Sequence, residues 1–92
     1  MWEVLETMRV ISQYGNVDLP YEQIVVYHAM ESVMALHNGE KYVLGEYSSK
    51  EKSYKAMEML RKAWINESVE FEDGIYHRNI VFQFPQDDEI EV

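Results

Sequence analysis

Three histidines, His28, His37 and His77, are the first residues in this sequence with the chemistry to bind a metal or move a proton. None has a second histidine three or four residues away, the spacing that sets two imidazoles on one helix face as zinc ligands. They read as surface or half-buried strand residues. No Gly-x-Ser-x-Gly elbow surrounds a serine, and Ser48 and Ser49 stand where a helix needs a cap. The four glycines, at 15, 39, 45 and 74, are scattered, so no glycine-rich loop cradles a phosphate. Glu70, Glu72 and Asp73 lie beside a turn, where a solvated acidic run is the ordinary outcome. These patterns point away from an enzyme and imply no cofactor or metal.

Two constellations suit binding instead. One is acidic: Glu67, Glu70, Glu72, Asp73, Asp87 and Asp88, extended by Glu89 and Glu91. Carboxylates at strand and turn spacing can imitate phosphates and occupy a basic cleft built for nucleic acid. The other is basic and aromatic. Lys52, Lys55, Arg61 and Lys62, or Arg9 and Arg78 brought together at a subunit interface, could hold phosphate, while Tyr14 or Tyr54 stacks on a base. With eight basic residues in the chain, such a site is expected to need a homo-oligomer to assemble.

The composition bounds both readings. Ninety-two residues with 47% hydrophobic and 13% aromatic content form one domain with a real core. Seventeen acids against eight bases give a net charge of −9, which repels bare nucleic acid and anionic membranes. Charge is unevenly spread: residues 48–62 carry five bases and two acids, whereas residues 63–92 carry eight acids and one base. There is no cysteine, which fits the cytoplasm and excludes disulfides and thiolate sites. No apolar run approaches the roughly 20 residues of a membrane span, and no export signal opens the sequence.

The elements that must position these residues follow from periodicity. Ser48 and Glu51 have the spacing of a capping box. Behind them Ser53, Ala56, Met57, Leu60, Ala63 and Trp64 make one helical stripe, predicting an amphipathic helix over about 49–65. Glu51–Lys55 and Glu58–Lys62 are oriented as favourable i,i+4 pairs. Residues 23–27, 32–36 and 41–47 read as strands, with Asn38-Gly39 as a tight hairpin turn. Asp18-Leu19-Pro20 reads as a turn, Tyr76–Phe84 as a last strand ended by Pro85, and Glu72-Asp73-Gly74 as the turn before it. A strand is expected over Met8–Gln13, closed by Tyr14-Gly15-Asn16. Residues 1–7 fit a short helix or an extension, and the acidic tail 86–92 is expected to fray. Together these predict an α+β domain, a small antiparallel sheet with the helix packed across one face.

Three blocks carry a family resemblance: Met8–Gln13 with Asp18–Ile24, Leu44–Ser49 with Ala56–Arg61, and Phe82–Pro85 followed by acids. They resemble a family of small acidic proteins from anaerobic Gram-positive bacteria and their phages and mobile elements. The blocks span most of residues 8–92, and the family's usual start corresponds to Met8, leaving residues 1–7 as a departure. The resemblance implies a counter-defence protein in the cytoplasm of a bacterial host. The expected action is stoichiometric inhibition of a host immune protein through a nucleic-acid-mimicking acidic surface. The alternative is a sponge that sequesters a nucleotide immune signal.

Overall fold

The computed structural model describes the backbone of residues 8–66, 68–71, 74–77 and 80–92, and the side chains of residues 8–65 and 81–92. In chain order the elements are β1 (Met8–Ile11), β2 (Asp18–Pro20), β3 (Val25–Ala29), β4 (Ser32–His37), β5 (Glu40–Glu46), α1 (Lys50–Asn66), β6 (Ser68–Phe71), β7 (Gly74–His77) and β8 (Ile80–Gln83). The expected α+β class holds. The strands divide into two three-stranded sheets, β2-β1-β8 and β3-β4-β5, and a separate β6-β7 hairpin, and every strand pair but β1-β8 is antiparallel.

The antiparallel meander β3-β4-β5 is the part set by local chemistry. Asn38 and Gly39 both take positive φ, at 52° and 83°, so only two residues join β4 to β5, as an Asn-Gly turn allows. Val33 and Ala35 are fully buried toward α1, while Val25 and Val43 lie exposed on the opposite face. One register shift in the β4-β5 ladder pairs Val33 with Gly45 but Met34 with Val43. Leu44 is therefore the extra residue of a bulge, and its fully buried side chain reaches the core.

The first sheet departs most from expectation. Asp18-Leu19-Pro20 is a short edge strand rather than a turn: Val10 pairs with Leu19 and Arg9 with Pro20. An edge tolerates proline because the ladder asks for no donor on its outer side. On the other side β1 pairs in parallel with β8, Met8 opposite Ile80 and Ile11 opposite Gln83. The Phe84 amide extends this ladder by donating to the Ile11 carbonyl at 3.0 Å. The run predicted as one strand over Tyr76–Phe84 is thus two strands: β7 pairs with β6, and β8 with β1. The strand expected over Met8–Gln13 stops at Ile11, and the 1–7 segment lies outside the described residues.

One core joins both sheets and the helix: Met8, Val10 and Leu19 meet Val33, Ala35 and Leu44, with Ala56 and Leu60 of α1 and Phe84 and Ile90 closing it. The helical stripe read from sequence is the buried one, since Ser53, Ala56 and Leu60 are buried and Met57, Ala63 and Trp64 half-buried. The cap lies one residue later than predicted. Ser49 Oγ accepts from the Lys52 amide at 3.2 Å, while the Ser48 amide donates to Asp87 Oδ1 at 2.8 Å.

That contact belongs to the tail, which is tied down rather than frayed. Residues 87–89 form a 3₁₀ turn in which Gln86 and Glu89 cap each other, and Ile90 is buried. Tyr47 Oη donates to the Pro85 carbonyl at 2.8 Å. Gln13 fastens three segments at once. Its carboxamide accepts from the Glu46 amide at 3.0 Å and donates to the Glu46 and Pro85 carbonyls at 3.2 and 3.1 Å. Its own carbonyl accepts from Gln86 Nε2 at 2.8 Å. A buried carboxamide has few donors and acceptors to match, and here each finds a backbone group.

Candidate functional site

The helix carries the candidate site, because its residues alternate between anchoring it and facing outward. Ser53, fully buried, donates to the Lys50 carbonyl at 2.7 Å. Its hydroxyl has one proton, so the 2.6 Å contact with His28 Nε2 requires the imidazole to donate. The ring also stacks on Tyr54, centroids 4.1 Å apart at 11°. Tyr54 is thereby fixed with one face covered while 58% of the residue remains exposed.

Around Tyr54 the outer surface of α1 forms an open cleft of about 600 Å³, lined by Glu51, Lys55, Met57, Glu58, Arg61 and Val92. Of its charges, Glu58 is drawn toward Lys62 Nζ at 3.8 Å, the one predicted i,i+4 pair that closes. Lys55 and Arg61 have no ion-pair partner among the described residues. A second cleft of about 320 Å³ shares Met57 and Arg61 and continues between α1 and the edge of β3, lined by Tyr21, Ile24, Val26 and Leu60.

The structure thus gathers Tyr54, Lys55 and Arg61 from the predicted phosphate-binding set and separates the rest. Lys52 is engaged by the tail, its ammonium donating to the Asp87 carbonyl at 2.9 Å and to Oδ2 at 3.3 Å. Arg9 is on the first sheet, paired with Asp18 at 2.9 Å. Tyr14 is exposed on the turn after β1. Arg78 lies outside the described residues.

The predicted acidic surface is distributed as well. Asp87 is engaged internally, and the Ser48 amide above all, with the Ser48 hydroxyl and the Lys52 ammonium, holds its carboxyl below the usual carboxylate range. Asp88 is exposed on the 3₁₀ turn. Glu70 sits on β6 opposite Ile75, and its side chain, with Glu67, Glu72 and Asp73, lies outside the described residues. Beside the tail, burial first and then the Asp87 and Glu89 charges push the Tyr47 phenol well above its ordinary value. It remains a neutral donor to Pro85 at neutral pH.

Among the described residues no group of three histidine, aspartate or glutamate side chains could hold a metal ion, and no helix is long and apolar enough to cross a membrane. The second cleft was not legible in the sequence, since its walls come from residues 21–26 and 57–61 and neither segment shows a ligand motif. At its edge Tyr21 and Trp64 pair with ring centroids 5.1 Å apart. No family model, curated protein or solved structure matches this chain, so the site is read from its own chemistry.

Proposed function

We propose that this chain is a non-enzymatic counter-defence protein of phage or mobile-element type that binds a nucleotide immune signal stoichiometrically and withdraws it from a bacterial host's defence. The observation that carries this reading is the cleft on α1, where Lys55 and Arg61, without an ion-pair partner among the described residues, flank the exposed ring of Tyr54. Cations hold phosphates, and an aromatic face accepts any base by stacking. The cleft volume falls within the roughly 300–1,000 Å³ of small-molecule sites. Glu51 and Glu58 share the cleft, and Glu58 is drawn to Lys62, which leaves Lys55 and Arg61 to meet an anion. The protein works in the host cytoplasm, binds neither nucleic acid nor membrane directly, and completes the site as a homo-oligomer. Native mass spectrometry against a pool of mono-, di- and cyclic nucleotides tests it. One species is expected to bind with defined stoichiometry and to be lost in the double variant Lys55→Gln/Arg61→Gln. Retention of every nucleotide by that variant, or no binding at all, refutes the reading.

The net charge of −9 favours a second reading, an acidic mimic of nucleic acid that occupies a host immune protein. In that case reversing Glu70, Glu72 and Asp73 together abolishes inhibition of the target, while Lys55→Gln leaves it unchanged.

A further inference from the structure

We propose that the smaller cleft, between α1 and the edge of β3, is a binding site for a small organic anion with a planar apolar body. The inference does not rest on the nucleotide reading and stands on the lining alone. Among the described residues the cleft is lined by Tyr21, Ile24, Val26, Met57 and Leu60 with Arg61 as the charged member, and it exposes polar and apolar surface in about equal measure. Tyr21 is backed by the Trp64 ring at 5.1 Å, so that wall is a fixed aromatic surface. Tyr21, Ile24, Val26 and Met57 are only half-buried although each packs against the core. Their remaining apolar area gains free energy when something covers it.

The charge selects the occupant. Arg61 is exposed and has no ion-pair partner among the described residues. A guanidinium is a planar fork of donors that matches the oxygens of a carboxylate, sulfonate or phosphate. At about 320 Å³ the cleft is at the small end of ligand sites, with room for a one- or two-ring body. Aromatic and aliphatic side chains with a guanidinium beside them suit an aromatic acid, its ring against Tyr21 and Val26 and its anion on Arg61.

Paired probes test this. Anilinonaphthalene sulfonate carries the anion, and phenylnaphthylamine has the same body without it. The sulfonate is expected to bind one per chain and about 2- to 5-fold tighter than the neutral probe, the modest gain of a solvent-exposed charge contact. Arg61→Gln removes that advantage and leaves the neutral probe unchanged. Val26→Phe, which fills the cleft, abolishes both. Because that variant could lose its fold, methyl NMR on the unaltered protein gives an independent readout: binding shifts Ile24, Val26, Met57 and Leu60. Equal affinity for the two probes, no effect of Arg61→Gln, or shifts confined to Val25 and Val43 on the outer sheet face overturns the proposal.

Discussion

Tyr47 shows how one side chain can depend on the absence of another. A methyl group added at Gly45 would lie 2.8 Å from both Cε2 and Oη of Tyr47. The ring is buried, and its hydroxyl is committed to Pro85, so it cannot swing aside without losing that bond. Gly45→Ala is therefore expected to destabilise the fold by about 1–3 kcal/mol, the usual cost of overpacking, measured as a lower midpoint in urea. An unchanged midpoint means that the ring is not fixed. Asp87 offers a second test, in pH. Its carboxyl titrates below its ordinary value because of the Ser48 amide first and Lys52 with it. The unfolded chain accordingly takes up this proton first as pH falls. The stabilisation is full above the ordinary aspartate value of about 4 and disappears as pH drops through the depressed folded value. Asp87→Asn should lower Tm at pH 7, and its Tm curve should converge with that of the unaltered protein below about pH 4. Parallel curves across that range mean that the carboxylate contributes nothing.

At the scale of the element, local pattern and tertiary contact divide the control. The helix was legible because its apolar residues recur at 3.6, a property of the segment itself. The β4-β5 hairpin was legible because Asn38-Gly39 supplies the positive φ that the turn requires. The cap was not. Ser48 and Ser49 are chemically equivalent, and the choice between them is made by Asp87, nearly forty residues on, which takes the Ser48 amide. Ser49→Ala is expected to cost about 1 kcal/mol, the usual loss of a side-chain cap. Ser48→Ala keeps the amide that Asp87 uses and should cost clearly less. Equal losses in thermal denaturation would return the cap to Ser48. The site follows the same division. Tyr54, Lys55 and Arg61 were visible as residue types on a helix, whereas the engagement of Lys52 by Asp87 and of Arg9 by Asp18 depends on partners that no helical period reveals.

At the scale of the whole molecule the chain is closed by contacts that join its two ends. The parallel ladder pairs β1 with β8 across about seventy residues, and backbone amides and carbonyls carry no residue type by which such a partner could be read. Gln13 adds contacts to Glu46, Pro85 and Gln86 from a position that looks, in sequence, like the end of a strand. The tail then lies against the helix start and buries Ile90. An acidic terminal segment ordinarily frays because solvation of its charges outweighs any contact. Here one apolar anchor and a set of backbone acceptors reverse that outcome. Removing residues 86–92 takes away the Ile90 side chain, whose burial is worth about 1.5–3 kcal/mol. It also removes the Gln86 contact to Gln13 and the acceptors for Lys52 and the Ser48 amide. The truncated chain should lose about 3 kcal/mol or more in denaturant unfolding, since these losses fall on one connected network. Ile90→Ala alone should cost about 2 kcal/mol or more. Because Val92 lines the α1 cleft, the truncation also removes part of that lining, and ligand affinity should fall with stability. If the truncated protein unfolds at the same denaturant concentration as the full chain, the tail is a passenger and the first sheet is held by its own strand ladders.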